Sequence, residues 1–272
     1  MLINSLSGVE EDVNEGFMES ILSKVRRVKV DERTLYEGSF RIKESKITIK
    51  TDPEAFTAAV LSILEHRNQL EAYVKNEPAF LTALEPVNVW REAPKVIMRM
   101  DEASRIAGVG PMASVAGAIA DLAVEAAIDA GARGVLVENG GEVSIDGAYT
   151  FHVALNVRGT ILSDNIGFKV TPKDYPIGIA TSSATSGHAI SFGVADAVTV
   201  FSKNAAYADA LATCICNAVV GESPEQAVEA GLSTAKGIRE IRGVIIVVGD
   251  KVGIVGRVPE FVYIEPGKTP KL

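Results

Sequence analysis

The sequence predicts a mixed helix-and-strand fold containing a repeated helix–hairpin unit, and three observations predict it. "RTLYEGSFRIKESKITIKTD" (33–52) alternates apolar and polar residues with the period of two that half-buried strands require. "DPEAFTAAVLSILEHRNQLEAYVKN" (52–76) instead spaces Phe56, Val60, Ile63, Leu64 and Leu70 at helical intervals. Finally, "DLAVEAAIDAGARGVLVENGGEVSIDG" (121–147) resembles "EQAVEAGLSTAKGIREIRGVIIVVGDKVGIVG" (225–256). Both run from an Ala/Glu-rich helix through Gly, an apolar strand, a Gly-containing turn and a second strand to a closing Gly, which is the mark of a tandem repeat.

Taken in order, 33–52 reads as a hairpin with "KESK" at its tip. Asp52 is expected to cap the next helix, with Pro53 in its first turn. "NEPAFLTALEPVNVWREAPK" (76–95) reads as an irregular connection with one short helical turn. The long helix "MASVAGAIADLAVEAAIDAGA" follows Pro111, and Gly131 is placed to end it in the left-handed conformation. "GVLVE", a Gly-Gly turn and "EVSID" form a hairpin, and "YTFHVALNV" adds a strand. "PIGIATSSATSGHAISFGVADAVTVFS" reads as strand, Ser/Thr/Gly loop and strand. A helix over 205–217 and a closing helix–strand–turn–strand complete the chain.

With 272 residues the chain can bury a large core as one domain or two intimately joined halves. No linker separates the halves, so a cleft between them is the expected ligand site. A net charge of −8 and a pI near 5.1 argue against a nucleic-acid surface, and the basic run "KVRRVKV" is too short for a phosphate footprint. The N-terminus turns acidic too early for a secretory signal. The most apolar stretch, Met112 to Ala130, carries Asp121, Glu125 and Asp129, so no membrane span and a cytoplasmic location are expected. Those three carboxylates, four residues apart, read as a solvated stripe. Cys214 and Cys216 point about 200° apart on a helix and read as small buried hydrophobes.

Four stretches can carry chemistry. In "GVGPMASVAGAIAD" (108–121) glycines lead into a helix N-terminus; close packing explains them, and Gly110 and Met112 are candidate ligand contacts. In "VENGGEVSIDG" (137–147) the Asn139-Gly140-Gly141 turn, bare of side chains, lets a ring or phosphate approach the backbone, with Glu142 to orient it. "GIATSSATSGHAISFG" (178–193) offers hydroxyls and His188. On the helix "AAYADALATCICN" (205–217), with Asn204 or Ser202 as its cap, Asp209, Thr213 and Asn217 share one face while Leu211, Ile215 and Val219 line another. An oxygen-only pair suits a hard cation such as Mg²⁺, whereas no His/Cys constellation argues for zinc.

In this order the stretches resemble the ApbE-type flavin transferase superfamily, through "VAGAIAD" (115–121), "VENGGEVSIDG", "IATSS" (179–183), "DAVTVFS" (196–202) and "ADALAT" (208–213). The resemblance covers roughly 100–256. It implies one ApbE-like domain over 1–272, with a divergent part at 1–100 and the recognisable motifs at 101–272. The fold implied is α+β, with tandem T-fold-like repeats of antiparallel sheet packed with helices. Members bind FAD and, with Mg²⁺, transfer its FMN part to a Ser or Thr hydroxyl of an acceptor protein. Carried over, Asp209 and Thr213 are the metal ligands, and Asn139, Gly140, Gly141, Glu142, Thr181 and Ser182 line the flavin pocket. His188 is the base beside Asp209.

Two features depart from the pattern: Ala116 stands where a Lys is usual, and "GHAISFGVADAVTV" keeps only a histidine of the His-x-x-Asp-Pro segment. They define the alternative, a non-transferase accessory protein binding another small anionic ligand. The resemblance links such branches to anaerobic and archaeal metabolism and to sulfur assimilation. Partners are then a small-molecule nucleotide or flavin and an acceptor protein, with no nucleic acid and no membrane; a homo-oligomer is compatible with either reading.

Overall fold

A computed structural model describes residues 15–30, 32–155, 166–184 and 193–263. The chain begins with helix α1 (Glu15–Leu22) and three strands, β1 (Arg26–Val30), β2 (Arg33–Ile42) and β3 (Ser45–Thr51). Helices α2 (Phe56–Asn76), α3 (Pro78–Thr82) and α4 (Lys95–Ala107) follow. After a 3₁₀ turn at Pro111–Ser114 come α5 (Val115–Asp129), β4 (Gly134–Asn139), β5 (Glu142–Gly147), β6 (Phe151–Ala154), β7 (Ile166–Val170), β8 (Ile177–Ser182) and β9 (Ala197–Ser202). The last elements are α6 (Ala205–Ala218), α7 (Pro224–Lys236), β10 (Ile241–Val248), β11 (Lys251–Gly256) and β12 (Glu260–Tyr263).

The architecture is α+β, as expected. A nine-stranded antiparallel sheet runs β1-β2-β3-β4-β5-β8-β9-β10-β11. Helices cover one face: α2 lies by β3, α5 over β4 and β5, α6 over β8 and β9, and α7 over β10 and β11. Helix α4 packs outside them, against α5 and α6. A small sheet, β12-β7-β6, occupies the other side. Strand alternation therefore feeds two cores. Val135, Val137, Ala180, Val198 and Val200 belong to the helix-side core, while Leu136, Val143, Ile145, Ile179 and Phe201 pack with Phe168 of β7.

The duplication seen in the sequence is structural. Helix α5 covers the β4–β5 hairpin as α7 covers β10–β11. The closing glycines match as well: Gly147 (φ +114) and Gly256 (φ +77) pair with Gly134 and Gly243. A Cβ on either would sit 2.5 Å from the Arg133 carbonyl oxygen or 2.3 Å from that of Arg242. Only glycine tolerates that approach together with a positive φ.

Several local expectations are met. Gly131 (φ +94) ends α5, its N–H bonded to Ile128 O while Ala132 N–H reaches Ala127 O, the Schellman arrangement. The 78–82 helix supplies the single short turn expected within 76–95. Asp52 is a correction. Its carboxylate makes no cap to the following helix among the described residues and instead binds across the sheet. Oδ2 accepts from the backbone N–H of Arg133 (2.8 Å) and Gly134 (3.3 Å), and Oδ1 from the Tyr149 hydroxyl (2.8 Å). The pairing of Thr51 with Val135 brings those donors to the end of β3, where they outcompete a local cap. Helix α4 was not expected, although its buried Val96, Ile97, Met100, Ala103, Ser104 and Ala107 keep helical spacing. The strand expected at 149–157 is β6, and it joins the small sheet rather than extending the large one.

Candidate functional site

Helices α5 and α6 cross at a glycine. A Cβ on Gly117 would lie 2.3 Å from the Ala205 carbonyl oxygen, so only glycine lets the backbones meet. At this crossing each helix receives a carboxylate from the other. Asp209, on α6, accepts the Gly117 N–H through Oδ2 (3.1 Å) and also binds the Ala116 N–H, at the start of α5. Asp121, on α5, accepts the Ala205 N–H through Oδ1 (2.8 Å) and the Ala206 N–H through Oδ2 (2.9 Å), at the start of α6. These amides are among the first-turn donors that a helix leaves without an internal partner, and negative charge there is favoured by the helix dipole. Asn204 completes the α6 cap by accepting from Tyr207 N–H (2.9 Å), one of the two expected caps. Ser202 instead ends β9 and donates to Glu240 O.

The solvated stripe expected on α5 is therefore corrected at Asp121, which is 3% exposed. Glu125 and Asp129 are exposed as expected. The start of α6 covers the α5 face at Asp121 and leaves the two later carboxylates uncovered. The Ser144 hydroxyl of β5 donates to Asp121 (2.6 Å), and Arg99 of α4 approaches it at 3.7 Å while pairing with Glu125 at 2.6 Å. Burial pushes the Asp121 carboxyl up, while its four partners pull it back.

Beside Asp209 lies the β4–β5 turn. Gly140 (φ +73) and Gly141 (φ +121) adopt the positive angles that a two-residue hairpin needs, and both are exposed. Asn139 and Glu142 flank the turn as a directly opposed pair, so they share the helix side with Val135 and Val137. Asn139 is 2% exposed; its Nδ2 donates to Ala116 O (3.0 Å), and its Oδ1 has no partner among the described residues. Glu142 folds back over the turn, with Oε2 3.4 Å from where a Gly140 Cβ would stand. Burial and the neighbouring Asp209 charge hold the Glu142 carboxyl well above the usual carboxylate range. Burial likewise pushes Asp209 up to about 7, against the pull of the Gly117 N–H.

Thr213 is buried one turn beyond Asp209 on α6. Alternation along β8 turns Ser182 to the helix side with Ala180. Thr181 faces the other way with Ile179, and its hydroxyl lies 2.9 Å from that of Thr199, away from the carboxylates. The structure thus brings Asn139, Gly140, Gly141 and Glu142 to Asp209, and separates Thr181 from them. Gly110 packs against the chain: its Cβ would fall 1.8 Å from Ala83 O, the close-packing reading of that stretch. Met112 is half-buried against the helix-side core. His188 lies outside the described residues. The reading of single residues missed Asp121 and the Ala116 carbonyl. The signal for Asp121 was the same as for Asp209, one carboxylate in a run of small apolar residues.

The donor set suits a hard cation with few protein ligands. Among the described residues no cluster of three or more His, Cys, Asp or Glu is built to hold a metal. Mg²⁺ does not need such a cage, since it commonly takes one or two carboxylates and completes its shell with water and substrate phosphates. Asp209 and Thr213 supply a carboxylate and a hydroxyl, and a carboxylate has lone pairs beyond those engaged by two N–H groups. The Asp209 charge raises the proton affinity of Glu142, and such crowding of carboxyls marks a place where a cation is welcome. The orphaned Asn139 oxygen and the bare glycine turn fit a polar, flat ligand edge.

A family model described as AbpE bacteria matches residues 30–244. The chain belongs to this family. Curated relatives of this AbpE-family chain include the UPF0280 protein MJ1526 of Methanocaldococcus jannaschii, 42% identical over 224 residues, covering 81% of this chain and 91% of the relative. The UPF0280 protein MK0206 of Methanopyrus kandleri is 40% identical over 238 residues, covering 86% and 96%. Among solved structures, the flavin transferase ApbE from Vibrio cholerae superposes with a TM-score of 0.53 at 13% identity, over 85% of this chain and 97% of that one. The ApbE protein from Thermotoga maritima gives 0.53 at 15% identity, over 80% and 96%. The fold of the AbpE-family chain is thus the ApbE fold, as its motifs implied, and the match reaches into the N-terminal hundred residues where the motifs were weak.

Proposed function

We propose that this AbpE-family chain binds a flavin nucleotide in the cleft between the β4–β5 turn and helix α6, and transfers its FMN part with the help of Mg²⁺. The observation that carries the reading is the convergence of Asp209 with the bare Gly140-Gly141 turn, flanked by Asn139 and Glu142. Asp209 and Thr213 would hold the cation, and Mg²⁺ when bound would neutralise pyrophosphate charge during phosphoryl transfer. The turn exposes backbone against which a ring or phosphate can lie, and the Asn139 oxygen accepts a hydrogen bond from the ligand. The N-terminus of α5, where Gly117 and Ala116 present N–H groups, favours negative charge at this end of the cleft. His188 is the candidate base for the acceptor hydroxyl. The whole of 1–272 acts as one cytoplasmic unit in this reading.

A second reading is favoured by the two departures from the superfamily pattern, the incomplete His-x-x-Asp-Pro segment and Ala116. Ala116 stands where the superfamily's Lys is usual, and its carbonyl is engaged by Asn139. An accessory protein that holds a different small anionic ligand in the same cleft, in sulfur metabolism, accounts for that change. The visible spectrum of purified protein with FAD, recorded with and without Mg²⁺, separates the readings when followed by an assay of FMN transfer to a Ser/Thr peptide. Turnover that Asp209→Ala abolishes is expected of the transferase. FAD binding without turnover supports the accessory role, and no FAD binding would overturn the flavin reading.

A further inference from the structure

We infer that Asp121 is a positioning residue, which fixes the start of α6 so that Asp209 faces the glycine turn. The inference rests on the reading of Asp209 as a metal ligand. Asp121 spends both oxygens on the first two amides of α6, at 2.8 and 2.9 Å, from the middle of α5. Asp209 follows those amides by about one helical turn, roughly 5 Å along the axis, so a shift at Ala205 and Ala206 moves its carboxylate nearly as far. The other cap on α6, Asn204 to Tyr207 N–H, is local and ties the helix to nothing outside itself. Asp121 instead ties it to α5 and, through Ser144, to β5. Those same two elements supply Gly117, which holds Asp209, and Glu142, which faces it. Ligand, support and turn therefore share one hub. Helix α6 is also tied to α4, through Tyr207 and Glu102, but α4 supplies neither Gly117 nor Glu142.

The test is Mn²⁺ binding to the full chain, followed by electron paramagnetic resonance well below each variant's melting temperature. Binding is expected for the wild-type chain and lost in Asp209→Ala. Asp121→Asn keeps the shape but replaces one acceptor with a donor facing an N–H, and is expected to weaken Mn²⁺ about tenfold, the scale of a lost support behind a metal ligand. Arg99→Met removes a charge beside Asp121 but leaves its carboxylate and the Ala205 and Ala206 amides in place, and is expected to lower the melting temperature while leaving affinity within about twofold, below the effect of such a support. Wild-type affinity in Asp121→Asn would overturn the inference and leave the metal reading standing. Absence of Asp209-dependent Mn²⁺ binding in the wild type would overturn the metal reading and the inference with it. Should Asp121→Asn not fold, hydrogen exchange in the wild type decides. Linkage requires Mg²⁺ to slow exchange at the Ala205 and Ala206 amides, and unchanged rates there would overturn the proposal.

Discussion

Asp121 and Asp209 cap each other's helices: each carboxylate binds two amides at the start of the helix that carries the other. The exchange is made at Gly117, where two backbones touch. A buried and a half-buried carboxylate, costly if left without partners, are thereby placed on donors that need acceptors.

Gly117→Ala tests the crossing. The new methyl would stand 2.3 Å from the Ala205 carbonyl oxygen, and neither helix can yield without loosening both caps. Urea denaturation is expected to show a loss of about 2–4 kcal/mol, overpacking compounded by weakened capping. A change within about 0.5 kcal/mol, typical of an unconstrained surface site, would mean that the crossing is slack.

Asp209 makes stability depend on pH in a defined direction. Its folded-state value of about 7 lies above that of an Asp in the unfolded chain. Between about 4 and 7 the folded chain keeps a proton that the unfolded chain has released, so stability falls as pH rises through that window and the loss is complete above it. The slope is bounded by about 1.4 kcal/mol per pH unit, and solvent access reduces it. Denaturation with chelator present, repeated across this window, is expected to show a flatter profile for Asp209→Asn.

Glu142→Gln removes the carboxyl that faces Asp209. The Asp209 charge helps to hold a proton on Glu142, so Glu142 is neutral while Asp209 ionises, and the variant exchanges a neutral acid for a neutral amide. Mn²⁺ titrations are expected to keep the wild-type acid limb in this variant. An acid limb moved to lower pH would mean that Glu142 is already charged beside Asp209.

Asp52→Ala removes an acceptor that serves Arg133 N–H, Gly134 N–H and the Tyr149 hydroxyl at once. A loss of about 2–3 kcal/mol in thermal or urea unfolding is expected, the scale of donors left without a charged partner. Removal of a mere helix cap would cost about 1 kcal/mol.

Much of this is legible in the sequence. Alternation gave the 33–52 hairpin, the Gly-Gly pair gave the β4–β5 turn, and the duplication located matching helix–hairpin units. Gly131 was identifiable as a helix stop because left-handed backbone is a property of the residue itself. Asp209 and Thr213 could be placed on one face by helical spacing alone. Asp52 was misread for the converse reason: a Ser, Thr, Asp or Asn before a helix signals a local cap, and the pairing of β3 with β4 supplies competing donors that local sequence does not contain.

The sequence by itself determined the 33–52 hairpin, the long helices α2, α5 and α6, the repeat, the family and the two carboxylates set among small residues, since these depend on neighbours within a turn or a strand. Only the tertiary structure decided that Asp121 is buried rather than solvated, that Thr181 turns to the sheet face opposite the helices, and that Asn139 and Glu142 stand beside Asp209. Each of those outcomes depends on contacts between elements far apart in the chain. Such contacts form where backbone amides, carboxylates and glycines from different elements satisfy one another, and a one-dimensional pattern does not record which of them meet.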